Sequence, residues 1–189
     1  MKLIMVLDIE TTGFDPYSDM ICEIGIVLLD LNSGSIKPSF NRVIFEDNKY
    51  IDRNCWIFKN SNLSYEHVRN RGMSLETIGP ILQSIFNLNI PTTSFNQTFD
   101  FGFLEQRGFI ISNRFWDPMI KLTPILKILR YNGSYKWPSV QEAWDFFYPN
   151  IHYKEKHRAL DDAIHEAKII YKTNQYLKKK ISGEENRIF

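Results

Sequence analysis

Leu3-Ile-Met-Val-Leu-Asp8-Ile-Glu10-Thr-Thr-Gly13 is the stretch that decides the fold. Leu3 to Leu7 is a continuous apolar run, the pattern of a short strand buried on both faces, which places it centrally in a sheet covered by helices. Asp8 and Glu10 follow at its end. The strand period of two turns both carboxylates to the same face, about 6.5 to 7 Å apart. Thr11-Thr12-Gly13 then turns the chain away, and a glycine there leaves room for a ligand to approach the backbone. Carboxylates so spaced can bracket two metal ions roughly 3.5 to 4 Å apart, one preparing an attacking water and one stabilising a leaving oxygen. Asp-x-Glu alone also suits an ordinary strand end. Its position between a buried-strand pattern and a hydroxyl-rich turn is what favours a site.

Downstream, Ile21 to Leu31 is rich in Ile, Val and Leu. The turn cluster Asn32-Ser33-Gly34-Ser35 and a second β-compatible run, Ile36 to Phe45, predict a hairpin beside the first strand. Residues 46–73 carry no clean period, and long irregular stretches inside compact domains are often functional. Leu75, Ile78, Ile81, Leu82, Ile85 and Phe86 keep the helical period, and Pro80 predicts that the regular helix begins near Gly79 or kinks there. A short strand over 92–95, a helix over 98–108 closed by Gly108 and a short strand near Phe115 and Trp116 come next.

Met119, Leu122, Ile125, Leu126 and Leu129 mark another helix, and Ser139 and Glu142 match a capping box before Ala143, Trp144, Phe146 and Phe147. A last helix over about 159–180 buries Ala163, Ala167, Ile170 and Leu177. The sum is an α/β fold, a mixed sheet flanked by helices. It reads as a single domain over 1–181 with a flexible C-terminal tail over 182–189.

Composition agrees with one domain: 189 residues, 43% of them hydrophobic, suffice for a single sizeable core. Lys+Arg 23 against Asp+Glu 22 leaves a formal charge of +1, so nucleic acid or an anionic membrane could be held only by local patches. Cys22 and Cys55 have no second cysteine at metal-ligand spacing, which argues against a structural zinc site or a disulfide framework. No stretch approaches the roughly 20 apolar residues of a membrane span. A cytoplasmic protein with no membrane partner is the expectation.

The opening stretch resembles the first motif of the DEDD superfamily of 3′-to-5′ exonucleases, whose fold is similar to ribonuclease H. Phe95-Asn-Gln-Thr-Phe-Asp100-Phe-Gly-Phe-Leu104 matches the second motif through Asn96, Phe99, Asp100, Phe103 and Leu104. A carboxylate in a first helical turn is by itself a common dipole choice. His157-Arg-Ala-Leu-Asp161-Asp162-Ala163 matches the third through His157 and Asp162, the pattern of the DEDDh, DnaQ-like branch. Side chains five residues apart on one helix would point about 140° away from each other, so His157 belongs on the loop before the helix. There an imidazole, ordinarily titrating near 6.5, can take a proton from an attacking water.

Asp161 competes with Asp162 as ligand but fits the spacing less well. His67, His152 and His165 read as surface histidines. Asp8, Glu10, Asp100 and Asp162 would carry −4 together, a self-repulsion that two divalent cations offset. Oxygen-only ligation favours two Mg²⁺, or Mn²⁺, over zinc. The resemblance thus implies catalytic His157 with metal-binding Asp8, Glu10, Asp100 and Asp162, releasing nucleoside 5′-monophosphates from single-stranded or frayed DNA.

For substrate binding, Phe14 is the stacking candidate and Gly13 the close-approach position; Thr11 and Thr12 are sugar contacts by resemblance. Phe99, Phe101 and Phe103 read as core, and Lys178 to Lys180 as cations suited to a helix C-terminus. Arg71 stands where relatives often carry a histidine, and Gln97 where they carry a small residue. An exoribonuclease of the ribonuclease T or oligoribonuclease kind shares the same residues. A subunit that proofreads beside a separate polymerase, and an inactive nucleic-acid binder, are further readings; five intact catalytic positions speak against the last.

Overall fold

β1 (Leu3–Thr11), β2 (Ile21–Asp30), β3 (Ile36–Val43) and β4 (Thr92–Thr93) form one sheet in the order β3-β2-β1-β4. The computed structural model describes residues 2–47 and 51–182. β1 pairs antiparallel with β2 and parallel with β4, so the sheet is mixed and its first strand is internal. Period two divides β1 between two cores. Met5, Leu7 and Ile9 pack with Phe101, Phe103 and Leu82 on one face, while Ile4 and Val6 pack with Ala163, Ala167 and Ile170 on the other.

Seven helices complete the described residues: α1 (Trp56–Asn60), α2 (Tyr65–Arg71), α3 (Leu75–Phe86), α4 (Gln97–Gln106), α5 (Pro118–Leu126), α6 (Val140–Phe147) and α7 (Ala159–Ile181). The segment without a period, 46–73, holds α1 and α2. The helix expected from Gly79 begins four residues earlier. Ser74 caps it by accepting the Thr77 N–H at 3.2 Å, and burial of Ile78, Leu82 and Phe86 carries the helix through Pro80. Gly79 before that proline has no Cβ to clash with its ring.

The short strand near Phe115 is only an isolated bridge, Thr92 to Arg114. Leu129 lies outside α5, because Lys127 takes a left-handed conformation (φ 53°) and ends the helix. The capping box of Ser139 and Glu142 is present. Leu177 is half-buried rather than core, and Ser182 is the C-cap of α7. The rest of the expected tail, 183–189, lies outside the described residues. No helix among the described residues is long and apolar enough to cross a membrane.

One close approach sets the position of α7. Gly25 of β2, opposite Asp8, lies so near the helix start that a Cβ would fall 2.4 Å from the Ala159 carbonyl carbon and the Leu160 nitrogen. Both obstacles are backbone, so α7 must move away from the sheet. Gly25→Ala should cost about 3 kcal/mol, lowering Tm by roughly 6–12 °C, and reduce nuclease activity even at temperatures where it stays folded. A thermal melt alongside an activity assay on the variant checks this; an unchanged melt would contradict the packing.

Candidate active site

Asp8 and Glu10 stand at the end of β1, paired with Gly25 and Glu23 of β2. Asn96 adopts φ 72°, a left-handed conformation that asparagine tolerates better than most residues, and α4 starts directly after it. Asp100 thereby falls in the first turn of α4. Its Oδ1 accepts the Ile9 N–H at 3.1 Å, fastening this carboxylate to the strand between Asp8 and Glu10.

Asp162 comes from the first turn of α7. Its Oδ2 accepts the Arg158 N–H at 3.0 Å and its Oδ1 accepts the Tyr153 hydroxyl at 2.7 Å, so both oxygens are oriented. His157 lies on the loop two residues before the helix, with φ 53°. The residues after it are pinned: Arg158 donates to both Glu23 carboxylate oxygens at 2.9 and 2.7 Å, and the Ala159 N–H donates to the same group at 3.0 Å. Glu23 therefore satisfies a buried first-turn amide of α7 that has no partner within the helix, and anchors the loop that carries the imidazole. The edge of Trp56 from α1 meets the His157 ring at 4.6 Å.

Asp8, Glu10, Asp100, Asp162 and His157 all line one cleft of about 160 Å³, together with Phe99, Val140, Glu155 and Glu166. Ligand atoms of Glu10, His157 and Asp162 lie within 4.8 Å of one another. A larger depression of about 690 Å³, lined by Phe45, Arg53, Tyr65 and Arg69 among others, shares no lining residue with this cleft.

The electrostatics record the cost of burying carboxylates close together. Enclosure in the protein, then Glu166, Glu10, Asp100 and Asp162, push Asp8 well above the usual carboxylate range. Burial and then Asp162 and Glu23 push Glu10 up to about 9, and burial pushes Asp100 up to about 7. Glu166 is driven well up by burial first and Asp100 second. An all-oxygen set of buried, crowded carboxyls, whose ionised forms need a counter-charge, fits hard divalent cations.

The remaining expected contacts are placed unevenly. Thr12 Oγ1 accepts the Met20 N–H at 2.9 Å, and Thr11 Oγ1 donates to the Gly13 carbonyl at 2.6 Å, so both hydroxyls are built into the turn. Gly13 is closed in from behind, since a Cβ there would sit 2.4 Å from the Asp19 carboxylate. Phe14 is 89% exposed and meets the edge of Phe99. Phe101 and Phe103 are core, whereas Phe99 lines the cleft.

Gln97 is internal support, its amide donating to Thr93 Oγ1 at 2.9 Å and the Phe115 carbonyl at 2.8 Å. Arg71 is exposed at the end of α2. His165 is not a surface histidine. It stacks on Tyr153 at 3.6 Å and packs against Trp144.

Glu166, Glu155, Tyr153 and Trp56 left no motif in the sequence. Only Glu166 left a signal of any kind: it stands four residues after Asp162 on a helix, where side chains share a face.

The exonuclease family profile matches residues 5–170, and the chain belongs to that family. The fold is the ribonuclease H-like one of DEDDh family nucleases. The chain is 30% identical over 187 residues to the PolC-type DNA polymerase III of Thermotoga petrophila, covering 96% of this chain and 13% of that protein. The homologue from Thermotoga maritima is also 30% identical, over 93% of this chain and 12% of its own length. The chain thus spans about an eighth of these relatives.

Among solved structures, the nuclease domain of 3′hExo, a DEDDh family member bound to rAMP, superposes with a TM-score of 0.69 at 15% identity. That match covers 93% of this chain and 92% of the other. Escherichia coli Exonuclease I in complex with a dA16 oligonucleotide gives 0.66 at 15% identity, over 95% of this chain and 43% of the other.

Proposed function

We propose that the chain is a metal-dependent 3′-to-5′ exonuclease acting on single-stranded or frayed DNA in the cytoplasm, with residues 1–181 as one catalytic domain. The convergence of four acidic side chains and His157 on one cleft carries this reading. Asp8, Glu10, Asp100 and Asp162 would hold two Mg²⁺, or Mn²⁺. When bound, such ions supply positive charge for the attacking and leaving oxygens of phosphodiester hydrolysis.

His157 takes a proton from the attacking water as the new O–P bond forms. The bond from phosphorus to the 3′ oxygen breaks, that oxygen takes a proton from solvent, and a nucleoside 5′-monophosphate leaves. Phe14 and Phe99 offer the terminal base a stacking surface. The backbone of the Thr11-Thr12-Gly13 turn lies beside its sugar.

His157→Ala should lower kcat by about 10²- to 10⁴-fold with strand binding retained, the range for a lost general base. Single-turnover rates together with a binding isotherm test it, and a kcat near the parent's would remove His157 from the chemistry.

DNA is favoured by the polymerase relatives, which cover nearly the whole chain. RNA is the second reading, because one solved structure of similar fold is bound to rAMP and another concerns recognition of a histone mRNA stem-loop. Matched DNA and RNA oligonucleotides decide between them, a higher kcat/KM on DNA being expected. A polymerase is the protein partner that the relatives suggest, and co-elution of the chain with one on size exclusion tests that.

A further inference from the structure

We infer that the hairpin over 128–137 is a platform for single-stranded nucleic acid upstream of the terminal nucleotide, an inference that rests on the exonuclease reading above. Between Asp117 and Glu142 the chain has no acidic residue, yet it carries Lys121, Lys127, Arg130 and Lys136. Lys136 is paired with Glu142 at 2.6 Å, while Lys121, Lys127 and Arg130 are exposed. This is a local basic patch on a chain of net charge +1.

Aromatic rings are interleaved with those cations. Tyr131 is fully exposed, Trp137 is 60% exposed and Tyr135 is 46% exposed. The turn holding them is built rather than loose. Leu129 bridges Tyr135 across the hairpin, the Arg130 N–H donates to the Ser134 carbonyl at 2.7 Å, and the Lys136 N–H donates to the Ile128 carbonyl at 2.8 Å. Gly133 supplies the left-handed corner at φ 79°, and Asn132 Oδ1 accepts the Ser134 hydroxyl at 2.7 Å.

Rings held out on a fixed turn beside cations suit bases that stack and phosphates that pair, without sequence preference. The hairpin also leads straight into the catalytic cleft. Val140 lines that cleft, and the three residues from Trp137 to Val140 span at most about 11 Å. A strand whose 3′ end lies among the carboxylates is repelled there except at the metal ions, and its upstream phosphates meet positive charge on the hairpin.

The test is a double substitution, Tyr131→Ala with Trp137→Ala, assayed on a trinucleotide and on a dodecanucleotide of the same 3′ sequence with Mg²⁺. The variant should keep the parent's kcat/KM on the trinucleotide and show a KM raised about 10-fold or more on the dodecanucleotide, as lost stacking predicts. Anisotropy of a labelled dodecanucleotide in EDTA reads the same affinity without turnover. The platform therefore remains testable even if the parent hydrolyses nothing, the outcome that would defeat the exonuclease reading instead. Arg130→Gln, which leaves the rings in place, should weaken binding and flatten its salt dependence. Equal dodecanucleotide affinity of parent and both variants would overturn the proposal and leave the surface to a protein partner.

Discussion

Asp100→Asn is expected to abolish hydrolysis while making the metal-free protein more stable. The substitution is nearly isosteric and retains an oxygen to accept the Ile9 N–H, so the α4 start should stay fastened to β1. What it removes is one of the negative charges crowded into the cleft. Loss of one ligand of a catalytic metal pair withdraws several kcal/mol of transition-state stabilisation, so kcat should fall by at least about 10³-fold.

The stability effect follows from the same crowding. Asp100 is pushed up to about 7 and Glu10 up to about 9, mainly by burial. In an unfolded chain both would titrate near 4. Between those limits the folded metal-free protein binds more protons than the unfolded chain, so its stability must fall as pH rises. Melts in EDTA should therefore give a higher Tm at pH 6 than at pH 9, with a smaller difference in Asp100→Asn. Mg²⁺ should raise the parent's Tm at alkaline pH and raise the variant's less. A variant that melts lower than the parent in EDTA, or still turns over, would contradict the assignment.

Arg107→Ala is the substitution expected to harm folding most. Its guanidinium grips Glu46 through Nε at 2.9 and 3.0 Å and through Nη2 at 2.8 Å, with the two side chains only 8% and 7% exposed. Further donors reach the Pro16, Asp19 and Phe103 carbonyls at 3.2, 2.7 and 3.0 Å, and Glu46 also accepts the Ile21 N–H at 2.7 Å. One side chain thus ties the end of α4 to the loop after the Thr11-Thr12-Gly13 turn and to the chain beyond β3.

Removing it leaves a buried carboxylate without its counter-charge, a loss of about 3–5 kcal/mol. For a chain of this size that corresponds to a Tm lower by roughly 6–20 °C. Adding Glu46→Gln to Arg107→Ala should return some of the loss, because the stranded charge is gone. A melt that Arg107→Ala leaves unchanged would show the ion pair to be incidental.

What the sequence exposed and what it hid have physical causes. The apolar run of β1 with Asp8 and Glu10 at its end, the capping box of α6 and the long period of α7 are local patterns, legible because each repeats or spans only a few positions. Asp100 and the pair His157 and Asp162 were legible only as motifs in order, since nothing in chain distance says that they meet. α1 and α2 were hidden because five and seven residues are too few to establish a helical period. Trp56 was therefore not visible as the ring beside His157.

Pro80 hides the true start of α3, because burial of three apolar side chains outweighs one missing hydrogen bond. Arg107 and Glu46, separated by 61 positions, left no trace of their pairing. Glu166 shares a helix face with Asp162, yet the neighbouring Ala163 and Ala167 give that stretch the pattern of ordinary core.

The most direct measurement follows a single-stranded oligonucleotide labelled at its 5′ end, incubated with the protein and Mg²⁺ and resolved by length over time. The expected result is a ladder shortening one residue at a time from the 3′ end, nucleoside 5′-monophosphate as the released product, and full arrest by EDTA or by Asp100→Asn. Label appearing first as a mononucleotide, or shortening that persists without divalent metal, would contradict it.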